Sequence, residues 1–407
     1  MKYIDFVDLK YKPAKTDLIC TFYVEPDGIS LKEAAGGVAA ESSIGTWTEL
    51  TTAEPYVARL AARVFSIEGN VAKIAYPIEL FEQGNMPNIL SSVAGNVFGL
   101  RALKNLRLND VELPAELVKS FKGPKFGIEG IRKLLKVPER PLVGTIIKPK
   151  LGLKTVDHAR VAYEAWAGGC DIVKDDENLS SQRFNPFEER VVKTLESRDK
   201  AEEETGERKV YMANITAETE TMLKRAKYVL NHGGEYVMVD ILTCGFSALQ
   251  TLRDQNFNLV VHAHRAGHAA FTKNQKHGIA MRAIAKVARI IGVDQLHVGT
   301  VVGKMSETKE EVLANIDALK ADMSGLKPVM PVASGGLHPR LVPALIETFG
   351  KDFVIQAGGG IHGHTDGTRA GATAMRQAVD ATLKGVSLEE YAKTHKELRV
   401  AIELWKA

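Results

Sequence analysis

Residues 259–301 read LVVHAHRAGHAAFTKNQKHGIAMRAIAKVARIIGVDQLHVGTV. The run opens on a short β-branched stretch, Leu259 to His264, passes through a polar turn, turns helical in period over Gly278 to Ile291, and returns to a β-like stretch at Gln295 to Val301. In GIAMRAIAKVARII the apolar residues recur at three and four positions, which is the spacing of a helix with one buried face. Strand, helix, strand is the repeating unit of a parallel sheet covered by helices.

The alternation extends in both directions. Upstream lie candidate strands Leu142 to Ile147, Asp171 to Lys174, Val210 to Asn214 and Tyr236 to Ile241; downstream lie Val329 to Ala333 and Phe353 to Ala357, with a further amphipathic helix at Lys309 to Ala321. Strand then helix, eight times, predicts a (β/α)8 TIM barrel. The competing open, doubly wound sheet would carry GxGxxG at its first βα turn. The first βα turn carries no such motif, and polar residues instead gather after nearly every strand. Residues 1–135 have a different texture, with strands expected at Leu18 to Glu25 and Val71 to Pro77 and helices at Glu54 to Phe65 and Asn85 to Gly95. The expected class is therefore α/β: a smaller α+β domain over 1–135, then a catalytic barrel over 136–407 that finishes in helices Thr368 to Lys384 and Leu388 to Trp405.

The 407 residues carry 53 Lys and Arg against 50 Asp and Glu, a net charge of +3, too balanced for nucleic acid or a membrane surface as main partner. The basic segment Lys122 to Lys136 reads as solvated surface. Three widely spaced cysteines form neither a zinc knuckle nor a disulfide framework. With acids at Asp5 and Asp8, and without any apolar run of about 18 residues, a cytoplasmic protein with no membrane segment is expected.

In a barrel of this kind the βα loops at the C-terminal rim hold the chemistry. There the sequence places Lys148 and Lys150, then Lys174, Asp176 and Glu177, then Asn214, then His262, His264 and Arg265, then His297, Thr300 and Lys304. SGG (334–336) and GGG (358–360) follow the last two strands, where barrels commonly bind phosphate through close backbone approach. Arg265 and His297 would suit a second phosphate. In GGCDIVKDDEN (168–178) Lys174 and Asp176 share a strand face, with Glu177 at the turn. An ammonium repels a cation, but a neutral lysine that adds carbon dioxide becomes a carbamate, and three oxygen anions suit Mg²⁺. An ordinary salt-bridge cluster would use the same residues. The pair in HAH (262–264) lacks a third ligand at zinc spacing.

Taken together, these motifs resemble the large subunit of ribulose-1,5-bisphosphate carboxylase/oxygenase (Rubisco). The resemblance rests on ESSIGTW (41–47), GNVFGL (95–100), IKPKLGL (147–153), KDDE (174–177), HAHRAGH (262–268), GTVVGK (299–304) and SGGLH (334–338), in order over most of the chain.

The resemblance implies that Lys174 is carbamylated by an activating CO2 and binds one Mg²⁺ per site with Asp176 and Glu177. It implies Lys148 as an acid/base lysine supported by Lys150, His264 in charge stabilisation or proton movement, and Lys304 at the carboxylated intermediate. Clustered Lys148, Lys150 and Lys304 are expected to lower the pKa of Lys174. Thr46, Trp47, Gly335, Gly336, Gly358 and Gly359 would meet one phosphate and Arg265 and His297 the other, with Ser334 on a substrate hydroxyl. Glu41, Thr46, Trp47 and Asn96 would reach the partner's barrel, so the implied unit is a homodimer with shared sites. Higher assemblies of dimers are compatible with it, and no small subunit is implied. The implied reaction joins ribulose 1,5-bisphosphate, CO2 and water into two 3-phosphoglycerates, with O2 competing. The short ends and the MSET continuation after Lys304 look most like the archaeal type, linked to recycling of AMP and nucleoside ribose. Rubisco-like isomerases of other phosphosugars, and a non-catalytic phosphosugar-binding barrel, are the alternatives; both would be expected to lack part of this residue set, which is intact here.

Overall fold

The computed structural model describes residues 2–48, 50–52, 54–303 and 307–406. The chain forms two compact units, one of residues 1–122, 267–291 and 322–326, the other of 123–266, 292–321 and 327–407.

In the first unit, strands β1 (Leu18–Pro26), β2 (Arg63–Glu68), β3 (Val71–Tyr76), β4 (Leu103–Glu112) and the two-residue β10 (Gly278–Ile279) form one sheet in the order β10-β4-β1-β3-β2. The expected helix over 54–65 is corrected here: Pro55–Leu60 is a 3-10 helix, and the chain then enters β2. Gly69, at φ 55°, and Asn70 turn β2 tightly onto β3. A two-residue hairpin of that kind outweighs helical spacing because each residue of RVFSIE gains a ladder partner or a packed side chain. Helix Leu31–Glu41 and β4 were not expected. A capping box marks the helix start, with Glu33 N donating to Ser30 Oγ at 3.2 Å and Ser30 N to Glu33 Oε2 at 3.2 Å.

The second unit contains β5 (Leu142–Ile146), β6 (Ile172–Lys174), β7 (Val210–Asn214), β8 (Tyr236–Asp240), β9 (Val260–His264), β11 (Gln295–His297), β12 (Met330–Ser334) and β13 (Val354–Ala357). All eight expected barrel strands are present. They run parallel and close in sequence order, β9 pairing with β11 and β13 with β5. A single cluster gathers Leu142, Ile172, Met212, Met238, Val260, Val332 and Val354 from around the ring, which only the barrel interior allows. Two positions further along six of these seven strands, on the same face, stand Lys174, Asn214, Asp240, His262, Ser334 and Gln356, with Gly144 in the corresponding place on β5. The pleat thus changes the lining from apolar to polar towards the C-terminal ends.

Helix Gly127–Leu135 sends Ile131 and Leu135 into this cluster and lies within the second unit. Its first turn is held by Asp294, whose Oδ1 accepts from Phe126 N at 2.7 Å and Gly127 N at 3.1 Å. The expected terminal helix splits into Leu388–Tyr391 and Lys396–Leu404. Among the described residues no helix is long and apolar enough to cross a membrane.

Candidate active site

Strand β6 ends on Lys174, which is fully buried at the polar end of the barrel. Its Nζ donates to Asp175 O at 2.6 Å and lies 3.4 Å from Glu177 Oε2. Asp176, also buried, accepts from Lys148 Nζ at 2.8 Å on one oxygen and from Asn178 N and Nδ2 at 3.1 and 3.0 Å on the other. Glu177 is half-buried and sits 3.7 Å from His264 Nε2, while His264 Nδ1 is 2.6 Å from Asp240 Oδ1. Lys148, Lys174, Asp176, Glu177 and His264 therefore converge.

Burial pushes the Lys174 amine below its ordinary pKa, against the opposing pull of Glu177, Asp176 and Asp240. The cause differs from the expected one. Lys148 is committed to Asp176, Lys150 is exposed, and Lys304 lies outside the described residues, so desolvation rather than a cluster of cations holds the amine towards its neutral form. Burial raises the Asp176 and Glu177 carboxyls, but Lys148 and Asn178 bonded to the first, and Lys174 and His264 near the second, leave both net lowered.

Across the rim a buried chain of hydrogen bonds links four side chains. Gln295 Oε1 is 3.0 Å from His262 Nδ1, His262 Nε2 is 2.8 Å from His297 Nε2, and His297 Nδ1 is 2.7 Å from Ser334 Oγ. Burial pushes both imidazoles well below their ordinary pKa, so each is neutral, with one donor and one acceptor nitrogen. With Gln295 accepting from His262 Nδ1, His297 donates from Nε2 and accepts the Ser334 hydroxyl proton at Nδ1. The Ser334 oxygen then presents lone pairs as an acceptor.

The glycine loops adjoin these groups. Gly335 and Gly336 take φ of 119° and 74°, conformations glycine adopts without strain, and a Cβ on Gly358 would fall 3.0 Å from Lys148 Cε. Gly359 is exposed. Beyond them His362 bonds Thr145 Oγ1 at 2.9 Å through Nε2 and Thr368 Oγ1 at 3.0 Å through Nδ1, tying the loop after β13 to β5.

The sequence matches over both units. Residues 5–117 match the N-terminal domain, and residues 127–405 the catalytic domain, of the ribulose bisphosphate carboxylase large chain. The chain belongs to the ribulose bisphosphate carboxylase large-chain family. It is 52% identical over 427 residues to the ribulose bisphosphate carboxylase of Methanocaldococcus jannaschii, covering 99% of this chain and 100% of that one. The octameric Rubisco of Pyrococcus horikoshii OT3, solved with sulfate ion, superposes with a TM-score of 0.97 at 53% identity, covering 100% of this chain and 98% of that one. The dimeric archaeal Rubisco of Hyperthermus butylicus superposes at 0.92 with 46% identity, covering 99% of both.

Of the residues this carboxylase family resemblance singled out, Lys148, Lys150, Lys174, Asp176, Glu177, His264, Arg265, His297, Ser334, Gly335, Gly336, Gly358 and Gly359 all lie in the barrel unit. Glu41, Thr46, Trp47 and Asn96 lie in the other unit. There Glu41 Oε1 accepts from Tyr3 OH at 2.8 Å, Trp47 is 82% exposed, and Asn96 is exposed. Thr46 and Trp47 line a shallow pocket with Tyr3 and Ile29.

Asp175 and its partners His158, Arg190 and Tyr211 were not singled out from sequence, whereas Asn214 was. Asp175 faces away from Lys174 and is fully buried, accepting from Tyr211 OH at 2.7 Å, Asn214 N at 3.0 Å and Arg190 Nε at 3.1 Å, with His158 Nε2 3.1 Å away. Asn214 Nδ2 donates to Glu177 O at 3.0 Å and Leu179 O at 2.9 Å, and Arg190 Nη2 to Ser180 O at 2.7 Å. These contacts fix the turn that carries Asp176 and Glu177. Strand alternation was the available signal for Asp175, since a residue between two inward ones must point out.

His362 gives a pH prediction. Burial pushes its pKa from 6.5 down to about 4, so folding favours the neutral ring. Its contribution is complete above about pH 6.5 and is lost as pH falls towards 4, up to about 3 kcal/mol in all. Urea unfolding at pH 7 and pH 5 is expected to show a smaller stability difference in His362→Gln than in the parent protein; equal differences would remove His362 as the cause.

Proposed function

We propose that the protein carboxylates ribulose 1,5-bisphosphate, joining it with CO2 and water to give two 3-phosphoglycerates, with O2 competing for the same intermediate. The observation that carries the reading is Lys174: a fully buried amine, its pKa held down by desolvation, beside two carboxylates at the polar mouth of a closed barrel. Only a neutral amine adds CO2, and burial shifts Lys174 towards that form.

The donor set fits Mg²⁺. Lys174 as its carbamate, Asp176 and Glu177 would hold one ion, which supplies positive charge that polarises the substrate ketone and acidifies the neighbouring carbon. Lys148, whose Nζ donates to Asp176 at 2.8 Å, would hold or return a proton on the substrate side. Asp240 at 2.6 Å fixes the His264 ring so that Nε2 faces Glu177 and the reacting centre. Ser334, its proton directed to His297, accepts from a substrate hydroxyl. Gly335, Gly336, Gly358 and Gly359 would admit one phosphate to backbone N–H groups and Arg265 the other. Lys150 would support Lys148, and Lys304 would meet the new carboxylate.

Glu41, Thr46, Trp47 and Asn96 would complete the site of a second copy in a homodimer, in keeping with the dimeric and octameric relatives. The proposed context is cytoplasmic recycling of AMP and nucleoside ribose. The test is incorporation of labelled CO2 into 3-phosphoglycerate from ribulose 1,5-bisphosphate. Label is expected with Mg²⁺ and at background without it; background in both points instead to isomerisation of another phosphosugar.

A further inference from the structure

Arg265, the residue that follows the end of β9, is already occupied in part. Its Nη2 donates to Glu307 Oε1 at 2.6 Å, and the two side chains are only 6% and 13% exposed. Its Nη1 is buried and has no hydrogen-bond partner among the described residues. The pair sits against Gly299, at φ 91°, where a Cβ would fall 3.2 Å from both Arg265 Nη2 and Glu307 Cδ. Glu307 itself is held in place. It precedes Thr308, the cap of helix Lys309–Lys320, where Glu311 N donates to Thr308 Oγ1 at 3.2 Å and Thr308 N to Glu311 Oε2 at 3.0 Å.

We propose that Glu307 is a resident counter-anion on Arg265 that competes with the substrate's phosphate and so sets the affinity for phosphorylated ligands. The inference rests on the reading of Arg265 as a phosphate ligand. A guanidinium this deeply buried is costly without a compensating charge, and burial does push its pKa down while Glu307 acts against that push. Glu307 supplies the charge when no ligand is bound. It does so through one edge of the guanidinium only, whereas a carboxylate or phosphate commonly takes two N–H groups. The open Nη1 edge is thus available to a phosphate, but that phosphate arrives beside a carboxylate held 2.6 Å from the other edge. Either Glu307 is displaced from its bond or two anions share one cation. In both cases the carboxylate charge weakens phosphate binding, and the weakening is a property of Glu307 rather than of the phosphate site as a whole.

The test is calorimetric titration of the full-length protein with inorganic phosphate, using the parent, Glu307→Gln, Arg265→Gln and the double variant. Glu307→Gln is expected to bind phosphate roughly tenfold more tightly and to lower KM for ribulose 1,5-bisphosphate, since loss of a like charge in a buried site is worth on the order of a tenfold change in binding. Its melting temperature is expected to fall without phosphate and to recover more than the parent's when phosphate is added. Arg265→Gln is expected to weaken phosphate binding, and in that background Glu307→Gln should have no further effect. A merely structural role for Glu307 would not produce that non-additivity. If Glu307→Gln does not fold, Glu307→Asp, whose shorter side chain draws the charge back, is expected to tighten binding by a smaller factor. Unchanged or weaker phosphate binding in the folded Glu307 variant, with Arg265→Gln still impaired, overturns the competition and leaves Arg265 as a phosphate ligand. Unchanged binding in Arg265→Gln overturns the phosphate reading of Arg265 itself.

Discussion

Lys174→Met is expected to abolish carboxylation, by at least about a thousandfold, in a protein that still folds. Methionine matches the lysine stem in length and suits a site that is fully buried, so packing is retained. What goes is the nitrogen that lies 3.4 Å from Glu177 Oε2. Without it Asp176 and Glu177 are two carboxylates lacking the third oxygen that a carbamate would add, and Mg²⁺ binding there weakens. Metal charge at a developing oxyanion is worth several kcal/mol, and about 1.4 kcal/mol is tenfold in rate, which sets the thousandfold floor. Trapping of labelled CO2 on the protein reads the same residue without turnover: the parent should retain label and the variant none. The sign with pH follows from the lowered Lys174 pKa. The neutral amine grows as pH rises, so trapped CO2 should increase with pH, and should do so at a lower pH than for an exposed lysine. Retained carboxylation in a folded Lys174→Met protein would end the assignment.

The barrel was legible because parallel strands buried on both faces read as short apolar runs, and because the polar residues at their ends sit at one end of the sheet. Val57, Leu60, Ala61 and Val64 show the opposite case. Their spacing is helical, yet Val64 is the buried residue of a half-exposed edge strand, and the Gly69–Asn70 turn, with its pairing partner β3, decided the outcome. Antiparallel strands with one wet face leave a weaker trace than a run of buried valines. In the site, KDDE gave the inward residues, but the partners of the outward Asp175 come from positions 158, 190, 211 and 214, which no local pattern joins. Likewise Arg265 and Glu307 meet across 42 residues, through two separate βα loops. The types of group needed at the rim were readable; which of them neutralise one another was not.

Asp175→Asn is expected to lower folding stability by about 3–5 kcal/mol, the usual cost of removing one member of a buried ion pair and leaving the other. Arg190 would be the charge left behind, fully buried with its Nε facing an amide. Burial raises the Asp175 carboxyl, but Arg190, His158 and the Asn214 N–H more than offset this and hold it far below the ordinary range. Because the folded value is depressed, the contribution is present above the unfolded pKa near 3.9 and is lost as pH falls through the folded value. Acid unfolding of the parent should therefore be steeper than that of Asp175→Asn, and the two stabilities should converge at low pH. The substitution also tests whether this network acts on the site. The Asp175 carboxylate binds the backbone N–H of Asn214, whose side chain holds Glu177 O and Leu179 O, so loosening it should displace Asp176 and Glu177 together. Direct titration with Mn²⁺ followed by electron paramagnetic resonance should show weaker binding in Asp175→Asn even at temperatures where it is fully folded. Tyr211→Phe, which removes only the 2.7 Å hydroxyl contact, should give a smaller change of the same sign in both measurements. Unaltered metal affinity in a folded Asp175→Asn protein would confine the network to stability and leave the positions of Asp176 and Glu177 to the barrel strand alone.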